Sequence, residues 1–127
     1  MDNTTTNTKS NMKTFTDYRG TIEDLKEGQD WSVTYISFKK GAVRGNHYHK
    51  DTVQFDIVIH GILECVTKGL FFKRARKMYG MDTKFHWPWT KHAYKALTDS
   101  EMISICFGKR IGENYEKDTF KLATPLI

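Results

Sequence analysis

Two histidines one residue apart, His47 and His49, stand in the stretch GAVRGNHYHKDTVQFDIVIHG (41–61), and Gln54 follows five positions after the second. On an extended backbone alternate side chains share a face, so both imidazoles point the same way with Cβ atoms roughly 6–7 Å apart. Paired imidazoles suit two kinds of chemistry. They bind divalent transition ions through neutral nitrogen, or they move protons near neutral pH, where an ordinary imidazole takes either protonation state. Residue 54 bears on the choice. A carboxylate there would complete an anionic metal site, whereas the amide oxygen of Gln54 is neutral and weakens such a site without forbidding it.

The elements that must position these groups read as strands. WSVTYISF, VQFDIVIHG, ILECVTKG, FFKRARKMY, TKFHW, HAYKAL and EMISICFGK are rich in β-branched and aromatic residues, with Gly20, Gly28, Gly41, Gly61, Gly69, Gly80 and Gly108 as punctuation. Only TIEDLKEG and ENYEKDTF read as capable of a helical turn or two. Many short, evenly spaced strands predict an all-β barrel or sandwich. In VQFDIVIH, Val53, Phe55, Ile57 and Ile59 share one face, read as core. Gln54, Asp56, Val58 and His60 share the other, whose polar groups suit the lining of an internal cavity.

A chain of 127 residues fits one domain. Residues 1–13, MDNTTTNTKSNMK, are polar and aperiodic and predict a loose tail, leaving residues 14–127 as the domain. No stretch reaches the ~20 apolar residues of a membrane span, and the N-terminus has no apolar leader. A soluble cytoplasmic protein without a membrane partner is therefore expected. Cys65 and Cys106 lie in apolar runs and predict buried thiols rather than a disulfide. The net charge of +5 is spread along the chain, and no nucleic-acid-binding motif accompanies it, so no nucleic-acid partner is expected. The densest basic run, LFFKRARKMYG, is either a solvated hairpin or a cationic rim for a pyrophosphate.

Gly41, five residues, His47-x-His49, four residues, Gln54, six residues and Gly61 together resemble the first motif of the cupin superfamily, with Gln in place of the frequent Glu. FHWPWTKHAYKAL is similar to the second motif, and the resemblance implies a cupin jelly roll in which His92 joins His47 and His49. One subgroup is closer still, the metal-independent dTDP-sugar 3,4-ketoisomerases. The stretches that resemble it are DYRG (17–20), VTYIS (33–37), RGNHYHK (44–50), Gln54 and SEMISICFGKRIGENYEKDTF (100–120). Trp87 and Trp89 are offset from that family's pattern, and Asp56 replaces an apolar residue.

The resemblance implies an isomerase of a nucleotide-linked 4-keto-6-deoxy sugar, dTDP-linked by the family's habit, in deoxysugar or surface polysaccharide biosynthesis. It would act without cofactor or metal, through an enediol. His49 is expected as the carbon base and His47 as its acid/base partner. Arg44 would hold charge on the enediolate or a phosphate. Tyr35 would bind a sugar oxygen or pack as a core or interface aromatic, and Gln54 would bond the substrate, orient a histidine or pack in the barrel wall. His92 would contact substrate in the cavity or simply pack, and Asp56 either fixes an imidazole tautomer or pairs with a cation. His60 and His86 are expected at strand ends. Trp87 and Trp89 would stack on a base, or pack in the core or a dimer interface. The resemblance also implies a homodimer paired through sheet edges. Two other classes fit the residues: a metal-dependent cupin using His47, His49 and His92 with Gln54, and a sugar-binding cupin without turnover.

Overall fold

The computed structural model describes residues 13–108 and 116–127. Eleven strands run β1 Thr14–Asp17, β2 Gly20–Glu27, β3 Trp31–Phe38, β4 Val43–His49, β5 Val53–His60, β6 Leu63–Lys68, β7 Lys73–Met78, β8 Thr83–His86, β9 Lys91–Ala96, β10 Ser100–Phe107 and β11 Thr119–Lys121. Every pairing is antiparallel. Six strands form one sheet in the order β1-β2-β3-β10-β5-β8, and five form the other in the order β11-β4-β9-β6-β7. Consecutive strands repeatedly land in opposite sheets, giving a jelly-roll sandwich; no backbone ladder joins the two sheets among the described residues.

The interior has two ends. Val58, Leu63, Met78, Ala96 and Met102 are sealed at one of them with Phe38 and Tyr94. Burying a side chain such as Leu63 or Met102 contributes roughly 1.5–3 kcal/mol. Two to four residues along β5, β9 and β10 the lining turns polar, to Gln54 and Asp56, His92 and Ser104, and His49 on β4 joins them, all buried. The apolar end anchors the strands, and the polar end is left for chemistry.

Gly61 makes the tight reversal from β5 to β6. Its φ is +89°, and an added Cβ would lie 2.3 Å from Ser100 Oγ and 2.4 Å from the Asp99 carbonyl oxygen. No L side chain fits there.

Three sequence expectations change. TIEDLKEG is strand β2, not a helical turn, because ladders with β1 and β3 satisfy its backbone on both sides. ENYEKDTF keeps only a 3₁₀ turn, Glu116–Asp118, before β11, and its first three residues lie outside the described ones, as do residues 1–12 of the expected tail. On β5 the face expected as core lies outside, while Gln54, Asp56 and Val58 line the interior as expected of a cavity wall. Gln54, Asp56 and Val58 point inward and are buried, while Val53, Phe55 and Ile57 are half-buried and Ile59 is exposed on the outer face. Cys65 and Cys106 are buried thiols that form no disulfide with one another.

Candidate active site

Strand register assembles the polar end. His47 stands directly opposite His92 across β4 and β9. On the other sheet Gln54 opposes His86 across β5 and β8, and both inner faces meet. A bulge between Gly45 and His47 re-aims the histidine strand. There Gly45 has φ +92°, and a Cβ on it would sit 3.0 Å from the His92 carbonyl oxygen. Asn46 follows with φ 57°. Its side-chain oxygen accepts from the amide of Leu126 at 2.6 Å, which pins the C-terminal segment beside the bulge.

Four imidazoles converge. Ring centroids are 4.9 Å apart for His47 and His49, 4.6 Å for His47 and His92, and 5.4 Å for His49 and His92. One nitrogen from each of these three lies within 4.8 Å of the others. His86 stacks on His92 at 4.2 Å.

Hydrogen bonds set the tautomers. His92 Nδ1–H donates to the Thr90 carbonyl at 3.2 Å, and its Nε2 is buried without a partner. His49 Nδ1 lies 3.1 Å from the Asp118 carbonyl, which can only accept, so this nitrogen carries the proton. Its Nε2 lies 3.2 Å from Gln54 Oε1. The amide of Gln54 is held in that sense because its nitrogen donates to both Asp56 oxygens, at 3.0 and 2.9 Å. Flipping it would set oxygen against a carboxylate. Asp56 also accepts from Tyr94 O–H at 2.5 Å, and His86 Nε2 lies 2.7 Å from the same phenol and 3.1 Å from Asp56 Oδ2.

Burial makes three of these rings poor bases. It pushes His47 down to about 3, helped by repulsion from His49 and His86. It holds His92 well below its ordinary value, with His86, His47 and His49 adding to the effect. His49 is also lowered by burial, against the opposing pull of its Asp118 and Gln54 acceptors. Neutral His49 then presents an Nε2 lone pair to an amide oxygen 3.2 Å away. Two acceptors at that distance call for a cation between them, either a proton or a metal ion.

The donor set fits a metal. His47, His49 and His92 offer neutral imidazoles whose nitrogens converge, and His92 Nε2 is bare. The Nδ1–H groups of His49 and His92 donate to backbone carbonyls, the outer contacts that orient metal-binding histidines. Gln54 Oε1 adds a neutral oxygen. These residues would hold a divalent transition ion.

The structure treats the other expected site residues differently. Asp56 Oδ2 lies 3.1 Å from His86 Nε2, both side chains fully buried. Arg44 is buried on the inner face of β4 opposite Tyr94. One guanidinium nitrogen donates to the Ser37 carbonyl at 3.2 Å, the group lies 5.4 Å from the Phe38 ring, and Nε and Nη1 have no partner.

Tyr35 is a correction. It pairs with Ile103, which pairs with Ile57, so it lies on the outer face of the six-stranded sheet, away from the histidines. Its hydroxyl donates to Glu101 at 2.5 Å, and that bond is the main cause pushing its pKa up to about 12.

His60 ends β5, exposed, as expected. His86 also ends its strand, but it is buried in the cluster. Sequence reasoning missed His86 and Tyr94. The alternation in TKFHW sets His86 on one face with Lys84, but only the pairing of β8 with β5 shows that this face is the inner one. Trp87 and Trp89 are both exposed, stacked on Phe85 and Tyr48 respectively.

No protein-family model matches the chain, and no curated protein matches it by sequence. Solved structures do resemble it. CapF, a capsular polysaccharide assembling protein from Staphylococcus aureus, superposes with a TM-score of 0.74 at 19% identity, over 89% of this chain and 33% of CapF. Oxalate decarboxylase from Bacillus subtilis, a protein with Mn(II) centres, gives 0.75 at 18% identity, over 91% of this chain and 33% of that one. KdgF from Halomonas sp. gives 0.63 at 22%, over 72% and 80%. This chain thus spans about a third of the first two. All three are cupin-fold proteins, and the chain has the cupin jelly-roll fold.

Proposed function

We propose that the chain is an isomerase that moves the carbonyl of a nucleotide-linked 4-keto-6-deoxy sugar between C4 and C3. The observation that carries this reading is a pair of neutral imidazoles, His47 and His49, side by side in a buried site whose position 54 is a hydrogen-bonded Gln. The likeness of RGNHYHK and Gln54 to the ketoisomerases, and the fold shared with a capsular polysaccharide assembling protein, support it.

In this reaction one imidazole removes the C3 proton and the C4 carbonyl oxygen gains a proton, giving an enediol. Reprotonation at C4 and loss of the proton from the C3 hydroxyl leave the C3 ketone. His49, held between Asp118 and Gln54, is the better placed carbon base, and His47 serves the oxygens. Both rings are weak bases while no anion faces them. Negative charge developing on the enediolate raises their basicity in step with the reaction. Arg44, with two unpartnered nitrogens, is the cation available to an anionic part of the substrate. This reading places the protein in the cytoplasm, where thiols such as those of Cys65 and Cys106 stay reduced. Among the described residues no helix is long and apolar enough to cross a membrane.

A second reading, a metal-dependent cupin enzyme, is favoured by the bare His92 Nε2 and the convergence of three imidazole nitrogens. A divalent ion held by His47, His49, His92 and Gln54 would polarise a substrate carbonyl as a Lewis acid.

Incubation with dTDP-4-keto-6-deoxyglucose in deuterated buffer, followed by NMR with and without chelator, tests both. Deuterium entry at C3 or C4 that survives chelation and disappears in His49→Asn supports the first reading. Turnover lost with a stoichiometric metal on chelation supports the second, and inertness toward the sugar in both arms sinks the first.

A further inference from the structure

The basic run LFFKRARKMYG forms the tip of the β6–β7 hairpin and the whole of β7. No acidic residue lies between Glu64 and Asp82, while Lys68, Lys73, Arg74, Arg76 and Lys77 carry positive charge, all exposed. These five equal the chain's formal net charge of +5, and the other fifteen basic residues are balanced by fifteen acidic ones. The excess charge is thus held by one hairpin rather than spread along the chain. Register sets Lys91, Lys68 and Lys73 directly opposite one another across β9, β6 and β7. Strand spacing puts neighbours in this row roughly 4.8 Å apart at the backbone, and like charges so placed are destabilising. Among the described residues none of the three makes an ion pair. Lysine on an outer strand wards off edge pairing, which accounts for Lys73 on β7. It does not account for Lys68 or Lys91, because β6 and β9 are both flanked by other strands.

One residue beyond this row the chain reverses. The Gly69 amide donates to the Phe72 carbonyl at 3.1 Å, closing the turn. Turns favour Gly, Asn, Asp, Pro and Ser, yet here Leu70, Phe71 and Phe72 follow the glycine. They are 87%, 80% and 71% exposed. Single exposed apolar residues are ordinary, but a contiguous apolar patch marks a contact surface. The loop that leads into Lys91 adds Trp89, also exposed, with Lys50 Nζ 5.2 Å from its ring. His92 stands opposite Thr67, so this is the histidine end of the sandwich.

We propose that this end of the molecule docks on an anionic lipid bilayer. Leu70, Phe71 and Phe72 enter the boundary between headgroups and acyl chains, and Lys68, Lys73 and Lys91 meet the lipid phosphates. The order along the hairpin, apolar tip and then cationic row, matches the order across a leaflet, acyl chains and then phosphates. Seating the tip about 5–10 Å deep brings the lysines to the headgroups, with their stems along apolar surface and their ammonium groups outside it. Trp89 then lies at the level that tryptophan favours in membrane proteins. A nucleic acid or an acidic protein would neutralise the lysines but offers the Leu-Phe-Phe tip no apolar medium. A neutral apolar partner would leave the lysines unpaired. An anionic bilayer satisfies both. The sequence expectation of no membrane partner rested on the lack of a span or leader, and a surface contact requires neither. Docking in this way is independent of the reaction at the histidine cluster.

The test is co-sedimentation of the full chain with sucrose-loaded vesicles of phosphatidylcholine and phosphatidylserine, beside vesicles of phosphatidylcholine alone. The expected result is binding at least about tenfold tighter to the anionic vesicles, weakening as salt is raised. Phe71→Ser and the double variant Lys68→Gln/Lys73→Gln should each lower the affinity at least about tenfold. Tyr18→Ser and Lys39→Gln/Lys40→Gln, at the opposite end of the sandwich, should leave it unchanged. All of these replace exposed side chains, so the far-ultraviolet spectra should match the wild type. In Phe71→Trp the added emission should shift to shorter wavelength on the anionic vesicles and be quenched by brominated acyl chains. A wild type that does not sediment with the anionic vesicles overturns the proposal. So does a loss in the lysine variant with none in Phe71→Ser, the pattern of a nucleic-acid or acidic-protein surface. An emission from Phe71→Trp that vesicles leave unchanged overturns it as well.

Discussion

Gln54 Oε1 lies 3.2 Å from His49 Nε2 while the amide nitrogen of the same side chain donates to both oxygens of Asp56. Gln54 is thus a neutral spacer between a histidine and a carboxylate. A Glu in its place would face Asp56 with no proton to donate and His49 with a full negative charge. Gln54→Glu is expected to raise affinity for a divalent ion by at least about tenfold. It is also expected to cost about 1–3 kcal/mol of stability in the metal-free protein. Titration calorimetry and urea denaturation measure the two opposed effects.

Tyr94 ties the two sheets at the site, since its hydroxyl joins Asp56 on β5 to His86 on β8. Tyr94→Phe keeps the ring against Phe38 but removes a donor from a buried carboxylate. A loss of about 1–3 kcal/mol is expected in urea denaturation, more than removal of an exposed hydroxyl would give. The decisive companion is Tyr18→Phe, exposed at the start of the chain, which should change nothing measurable.

Acid should destabilise the metal-free fold. His47 is pushed down to about 3, and His49 and His92 are also lowered, all with burial as the largest cause. In the unfolded chain each takes a proton near pH 6.5. Below that pH the unfolded state therefore binds more protons than the native state, and stability falls as pH falls. Their contribution is fully present above about 6.5 and is lost as pH drops toward the folded value. Each group adds a slope of up to about 1.4 kcal/mol per pH unit. Urea midpoints from pH 8 to 4 should show this decline, and His47→Asn should make it shallower.

Neutral imidazoles also fix how a metal would bind. At pH 7.5 no proton has to leave His47, His49 or His92, so the binding enthalpy for Mn(II), Co(II) or Zn(II) should not vary with the ionisation enthalpy of the buffer. His92→Ala should lower that affinity by more than about 100-fold, beyond the loss from an outer contact. A buffer-dependent enthalpy would show that the rings are protonated before binding.

Much of the architecture is readable along the chain. WSVTYISF, VQFDIVIH and EMISICF became β3, β5 and β10 nearly residue for residue, because β-branched and aromatic alternation is a local property. The spacing of His47 and His49 likewise brought their rings together. TIEDLKEG was not legible, since its strand exists only because β1 and β3 flank it. His86 was not legible either, for its place depends on which neighbour β8 pairs with.

The amino-acid order by itself determined which residues share a face, since the period of two is built into every extended segment. It did not determine which face is inside. An apolar row such as Val53, Phe55 and Ile57 satisfies a core or an interface equally well, and a polar row such as Gln54 and Asp56 satisfies water or a buried network. Only the packing of the two sheets chose, by giving Gln54 and Asp56 one another, His49, His86 and Tyr94 as hydrogen-bonding partners. The same choice turned Tyr35 and that apolar row outward. Burial of polar groups is tolerated where partners from distant strands meet them, and that meeting is a property of the tertiary structure alone.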